Sequence, residues 1–284
     1  MPNLRLADLT AEIEANVRRA LLEDIGSGDI TAQLIPAERL AKATIITRDA
    51  AIICGTAWVD TVFRQLDPRV AVHWQVSDGE RVKPNQVLFH LEGPARSLLT
   101  GERSALNFLQ LLSGVATATH EFVRRIKGSR TRICCTRKTT PGLRALEKYA
   151  VRCGGGFNHR FGLDDAMLIK DNHIAVAGGI AAVLRRAKAV AGHLVKIEIE
   201  VDTLDQLREV LEVGLADAVL LDNMDAATMR KAVEMVAGKF PLEASGGITL
   251  DTIAEIAKTG VDYASSGWIT HSAPHLDVAL DIEM

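Results

Sequence analysis

At 284 residues, with 48% hydrophobic and 24% charged residues and 8 prolines, the chain excludes disordered and fibrous classes, and either one barrel-sized unit or two domains is expected. A formal net charge of −3 gives no general attraction to nucleic acid or to a membrane surface, so any anion site has to come from a local cluster of Lys and Arg. Cys54, Cys134, Cys135 and Cys153 form no CxxC pair and have no histidine at zinc spacing; with no apolar run of bilayer length and no basic-then-apolar start, reduced thiols and a cytoplasmic location are expected.

From Leu9 to Glu23 the apolar residues Leu9, Ile13, Val17 and Leu21 recur at every fourth position, predicting an amphipathic helix capped by Thr10 or Asp8 and stopped by Gly26. Short β-like runs follow at 43–47 and 51–54, then a helix over 58–66 and strands around 70–76 and 87–91, an order that suggests a small α+β domain. Within it, Val76 to Val82 followed by Val87-Leu88 reads as a strand, a turn at Asp78-Gly79 and a returning strand. Residues 95–127 are helical in pattern, with breaks expected near Gly101 and Gly114, and they mark the boundary between two domains.

Beyond residue 130 the pattern becomes a regular alternation. Apolar runs at 131–136, 166–169, 195–199, 218–221, 242–244 and 263–264 are each followed by a helical segment, which argues for parallel strands with crossover helices. Six such units cannot fill the usual eightfold closure, so an incomplete or distorted barrel is expected, with an open doubly wound sheet as the alternative.

The residues that stand just after these runs carry the chemistry: Arg137 and Lys138, then Lys170, Glu200, Asp222, Ser245 with Gly246 and Gly247, and finally Gly267 with His271. Taken singly, a charged residue after a strand is a solvated loop residue or a helix cap. In an α/β barrel, however, the carboxyl ends of the strands converge on one face, where active sites are built. Arg137, Lys138, Lys170 and the loop residues His159 and Arg160 would concentrate positive charge in a chain of negative net charge, which asks for a polyanionic ligand. Glu200 and Asp222 either neutralise the lysines or hold Mg²⁺ and ribose hydroxyls, since Mg²⁺ takes one or two carboxylates together with substrate phosphates. Gly246-Gly247 ahead of a helix start suits a phosphate, although a glycine pair is also common in any tight loop. The run Gly154-Gly155-Gly156 leading to Asn158-His159-Arg160 reads either as a flexible connection or as a loop that folds over a ligand.

Several of these segments together resemble one family. Thr136-Arg137-Lys138-Thr139-Thr140-Pro141-Gly142-Leu143-Arg144, Glu147 to Val151, Gly154 to Arg160 and Leu168-Ile169-Lys170-Asp171-Asn172-His173 are similar to the signature of quinolinate phosphoribosyltransferases. Asp24 to Thr31, Glu102 to Asn107 and Thr270-His271-Ser272 match as well, so the resemblance covers nearly the whole chain.

The resemblance implies an N-terminal α/β sandwich domain, 1–114, to which the tail 272–284 returns, and an open six-stranded α/β barrel, 115–271. It implies transfer of phosphoribosyl from phosphoribosyl pyrophosphate to quinolinate with decarboxylation, Mg²⁺ as cofactor, and a homodimer with shared active sites. Residue by residue, Arg137, His159, Arg160 and Lys170 would bind the quinolinate carboxylates, with Arg103 supplied by the partner subunit. Lys138 and Lys170 would contact pyrophosphate, and Glu200 and Asp222 would serve ribose and Mg²⁺. Ser245, Gly246, Gly247, Gly267 and His271 would hold the 5′-phosphate, with Thr136 and Ser266 also among the substrate contacts. The sequence departs from the family pattern at Cys135, where Asp is usual, and at Trp268, where a small residue is usual. The first is expected to weaken a contact behind Arg137, the second to alter the shape near the phosphate loop.

Overall fold

Ala43, Ile45 and Thr47 are buried along strand β1 (Leu40–Thr47) while the residues between them are partly open, the period of two that a half-buried strand requires. The computed structural model describes residues 5–283. By their contacts these form two units. One comprises the residues up to His120, 140–155 and the segment from Ser272; the other comprises 121–139 and 156–271.

In the first unit, helix α1 (Thr10–Ile25) follows a 3-10 turn over Leu6–Leu9. Its N-cap is therefore Leu9, not the expected Thr10 or Asp8, because Asp8 turns back to accept the Arg5 N–H at 3.1 Å. Gly26, at φ 54, ends the helix as expected. Strand β2 (Ala51–Ile52) precedes helix α2 (Thr56–Leu66), which packs on α1. Strands β3 (Ala71–Trp74), β4 (Arg81–Val82) and β5 (Val87–Pro94) come next. The turn at Asp78-Gly79 is present, and β3 before it pairs antiparallel with β5, Trp74 opposite Phe89, as expected, while the short β4 directly after the turn pairs with β2. The Asp78 carboxylate accepts the Gly55 and Thr56 N–H groups at 3.0 and 3.1 Å and so pins the turn to the start of α2. The last strand, β12 (Val278–Glu283), pairs antiparallel with β1, completing a sheet of order β12-β1-β5-β3.

Helix α3 (Ala95–Arg125) is continuous, so the expected breaks at Gly101 and Gly114 do not occur. These glycines serve packing instead. A Cβ on Gly101 would lie 2.8 Å from the Phe63 ring, and one on Gly114 would lie 2.3 Å from the Pro274 carbonyl oxygen. Among the described residues no helix is long and apolar enough to cross a membrane.

The second unit is built on six parallel strands: β6 (Arg132–Cys134), β7 (Met167–Ile169), β8 (Ile197–Val201), β9 (Ala218–Asp222), β10 (Leu242–Ser245) and β11 (Tyr263–Ser265). Helix α4 (Arg144–Cys153) lies between β6 and β7 in the chain and belongs to the first unit. Helices α5 (Asp171–Ala177), α6 (Ile180–Val190), α7 (Leu204–Val213), α8 (Ala226–Val236), α9 (Ile253–Ala257) and the short α10 (Trp268–His271) connect or follow the later strands. The strand order β6-β11-β10-β9-β8-β7 is that of a ring opened between its first two members. A doubly wound sheet would reverse its order at an internal switch point, and this one does not, so the open barrel is the fold. The free edge of β6 is partly covered by Phe157, whose N–H donates to Ile133 O at 2.9 Å while its carbonyl accepts from Cys135 N at 3.0 Å.

The triple glycine is correspondingly not a loose connection. A Cβ on Gly154 would fall 2.3 Å from Ala116 O, so that residue is fixed by close packing against α3, and the chain resumes hydrogen bonding at Phe157.

Candidate active site

Strand register determines which residues share a face. Glu198 pairs with Leu168 and Ala218, Glu200 with Leu220, Leu220 with Glu243, and Asp222 with Ser245. Paired residues of adjacent parallel strands point the same way. Glu198, Glu200, Asp222, Glu243 and Ser245 therefore lie on one face. The alternate positions Ile197, Ile199, Val219, Leu221, Leu242 and Ala244 are buried apolar residues of the other face.

At the carboxyl ends of β7 and β8, Lys170 Nζ meets Glu200 Oε2 at 2.8 Å, with Glu200 almost covered and Lys170 half exposed. Asp222 ends β9 and accepts from Asn223 Nδ2 at 2.7 Å. Asn223 takes a left-handed φ of 52 and donates its N–H to Ser245 O at 3.0 Å. Gly246, at φ 90, has no alternative residue here, because a Cβ would sit 2.1 Å from Asn223 Oδ1. A Cβ on Gly247 would meet nothing within 4 Å, so the backbone there is open to a close approach.

The loop after β6 is held in shape by its own polar groups. Thr136 Oγ1 accepts the Lys138 N–H at 3.0 Å, and Thr270 Oγ1 donates to Lys138 O at 2.7 Å, which ties the loop to α10. Ser266 donates from its hydroxyl to Ile248 O at 2.9 Å and from its N–H to Cys134 O at 3.1 Å. A Cβ on Gly267 would be 3.0 Å from Lys138 Cδ and 3.2 Å from His271 Nε2, so Lys138, Gly267 and His271 are neighbours.

The Arg160 guanidinium feels the charge of Arg137. Burial first, and the neighbouring Arg137 second, hold the Arg160 guanidinium below the ordinary arginine value, with Asp165 and Glu198 acting in opposition. Arg160 also donates to Ala166 O at 3.3 Å. Arg137 Nε is buried without a hydrogen-bond partner among the described residues. His159 is engaged by the protein on both ring nitrogens: Nδ1 accepts the Arg160 N–H at 2.8 Å, and Nε2 lies 2.9 Å from Glu198 Oε2 and 3.6 Å from Glu243 Oε2.

Glu198 and Glu243 escaped the sequence reading, yet both come to the histidine. They lie on strands separated by β9, so a flat sheet would set their backbones roughly 9–10 Å apart. Their carboxylates and His159 Nε2 nevertheless fall within 4.8 Å of one another, as the inside of a curved sheet requires. The signal was present in Ile197-Glu198-Ile199-Glu200, where acids alternate with apolar residues; on an ordinary sheet that pattern marks a solvent face. Burial first and Glu198 second push the Glu243 carboxyl up to about 7, against the opposing effects of His159 and Ser265.

The two departures have identifiable surroundings. Cys135 donates its thiol proton to Asn158 Oδ1 at 3.3 Å, and Asn158 Nδ2 is left buried without a partner among the described residues. The Trp268 ring packs tilted on Phe122, with centroids 6.1 Å apart, which accommodates its bulk. Arg103 belongs to the other unit, on α3, where its exposed guanidinium lies 3.9 Å from Glu102.

These features define an α/β barrel unit whose strand ends carry arginines, lysines, glycines and two carboxylates, a candidate anion site. The family model described as "Quinolinate phosphoribosyl transferase, C-terminal domain" matches residues 115–281, and that described as "Quinolinate phosphoribosyl transferase, N-terminal domain" matches 29–113. The chain is 46% identical over 263 residues to the "Probable nicotinate-nucleotide pyrophosphorylase [carboxylating]" of Bacillus subtilis, covering 93% of this chain and 91% of that one. It is 42% identical over 276 residues to the "Nicotinate-nucleotide pyrophosphorylase [carboxylating]" of Mycobacterium leprae, covering 94% and 95%. The solved structure of the nicotinate-nucleotide pyrophosphorylase from Francisella tularensis superimposes with a TM-score of 0.93 at 45% identity, covering 96% of each chain. The chain belongs to the quinolinate phosphoribosyl transferase family.

The Glu243 shift has a consequence for stability. Its folded value of about 7 lies above the ordinary 4.5, so the folded protein holds this proton more tightly than the unfolded chain. Stability from this group is full below the ordinary value and is lost as pH rises through the folded value. Glu243→Gln, which cannot ionise, is expected to lose less stability than wild type between about pH 5 and about pH 8 in urea titrations. Parallel curves for the two proteins would show that Glu243 does not carry the shift.

Proposed function

We propose that the protein transfers the phosphoribosyl group of phosphoribosyl pyrophosphate to quinolinate, releasing pyrophosphate and carbon dioxide and forming nicotinate mononucleotide for NAD synthesis. The observation that carries this reading is the partly buried Arg160 guanidinium, disfavoured by the charge of Arg137, at the mouth of a barrel that also presents Lys138 and Lys170. A vicinal dicarboxylate relieves that repulsion twice over, whereas a monocarboxylate meets only one of the two guanidinium groups.

The pyridine nitrogen attacks the anomeric carbon as the bond to pyrophosphate breaks, through a transition state with oxocarbenium character. Lys138 and Lys170 stabilise the charge that develops on the leaving group. The resulting pyridinium draws electrons from the adjacent carboxylate, which leaves as carbon dioxide, and the ring carbon takes a proton. Asp222 and Glu200 lie on one face as hard oxygen donors, a set that fits Mg²⁺, though Glu200 is already paired with Lys170. Bound with the diphosphate, the ion would neutralise part of its charge. Ser245, Gly246, Gly247, Gly267 and His271 surround the backbone suited to the 5′-phosphate, with Thr136 and Ser266 shaping the adjoining loops. A cytoplasmic setting is part of the same reading, in keeping with the four free cysteines.

Turnover of quinolinate and phosphoribosyl pyrophosphate, followed as nicotinate mononucleotide, is expected with Mg²⁺ and is expected to be lost on chelation. Arg160→Ala should lower kcat/KM by ~30-fold or more, the scale of a lost desolvated charge pair of about 2 kcal/mol. Unchanged kinetics in this variant would remove Arg160 from the substrate contacts.

We further propose a homodimer in which Arg103 of one subunit completes the site on the other. Arg103→Ala and Lys138→Ala should each be nearly inactive alone, while random mixing places both defects in one site of a mixed dimer and restores roughly a quarter of wild-type activity. Recovery no greater than the sum of the two variants, with subunit exchange verified, would refute the shared site.

A further inference from the structure

We infer that Glu198 and Glu243 are positioning residues: they hold the His159 ring with its proton on Nε2, so that bare Nδ1 receives the Arg160 peptide N–H and sets the Arg160 guanidinium beside Arg137. The inference rests on the reading that Arg160 takes a substrate carboxylate.

The hydrogen bonds determine the tautomer. Arg160 N–H donates to His159 Nδ1 at 2.8 Å, which requires a lone pair there. The ring proton is then on Nε2, directed at Glu198 Oε2 at 2.9 Å with Glu243 Oε2 at 3.6 Å. This arrangement also separates the cluster from a metal site, although the three side chains are near enough to one another for one. A metal on Nε2 would move the proton to Nδ1, face it against the Arg160 N–H and break that bond. Glu198 has a second role, since its charge is one of the two that favour the Arg160 cation in the presence of Arg137. Glu243 is buried, its Oε1 has no hydrogen-bond partner among the described residues, and its Oε2 lies 3.6 Å from His159 Nε2.

The effect should be confined to one substrate. Glu198→Ala is expected to raise KM for quinolinate about tenfold, the scale for leaving a buried hydrogen-bonding group unpaired, with KM for phosphoribosyl pyrophosphate unchanged within about twofold. Glu198→Gln keeps an acceptor oxygen for Nε2–H and should recover much of the loss. Equal changes in both KM values, or no rescue by Gln, would reduce Glu198 to a general structural role and overturn the inference.

The companion readout is the ring-nitrogen NMR spectrum of ¹⁵N-histidine-labelled wild type, with His159 assigned through His159→Gln. One bare Nδ1 and one protonated Nε2 are expected, and adding Zn²⁺ should leave them unchanged. An Nδ1–H tautomer, a doubly protonated ring, or loss of the Nε2–H signal on adding Zn²⁺ would each contradict the inference. Because this spectrum needs no turnover, inactive wild type giving the expected spectrum would count against the proposed reaction and leave the histidine arrangement standing.

Discussion

Keeping the Arg160 guanidinium partly out of water and within range of the Arg137 charge disfavours its charged form, and the surrounding structure has to compensate. Like charges at such range repel more strongly as their surroundings lose water. Part of the compensation comes from Asp165 and Glu198. In the proposed function a ligand that brings more than one negative charge would supply the remainder, which makes the unfavourable pair the proposed basis of recognition. Arg137 Nε, a buried donor with no partner among the described residues, belongs to the same economy of unmet demand.

The barrel makes this arrangement possible. Parallel strands held in register direct alternate residues to one face, and curvature draws those side chains together. Glu198 and Glu243 reach the same imidazole across an intervening strand. Two residues along β8 the partner changes: Glu198 meets His159, while Glu200 pairs with Lys170 near the strand end. The Gly246 backbone can adopt its left-handed conformation only because no Cβ intrudes on Asn223, and Asn223 in turn braces Asp222.

The fold and the outer layer of the site were legible because both depend on local signals. Apolar runs separated by helical segments located all the strands of the barrel, and the charged or glycine residues after them stand at its carboxyl end, where the proposed site lies. What stayed hidden depends on residues distant in the chain. Gly101 and Gly114 look like helix breakers until Phe63 and Pro274 are found against them. Arg81–Val82 pairs with β2 beside the turn that Asp78 pins to the start of α2, a contact no local pattern announces. Glu198 and Glu243 were missed for the same reason: alternation of acid and apolar residue means a wet face on an open sheet, and closure of the barrel turns that face inward.

The central claim is that the paired arginines select a dicarboxylate. Isothermal titration calorimetry of the wild-type protein with quinolinate and, separately, with nicotinate, which lacks one carboxylate, tests it most directly. The account predicts affinity for quinolinate ~30-fold or more above that for nicotinate, the consequence of one lost charged pair of about 2 kcal/mol. Equal affinity for the two compounds would contradict it.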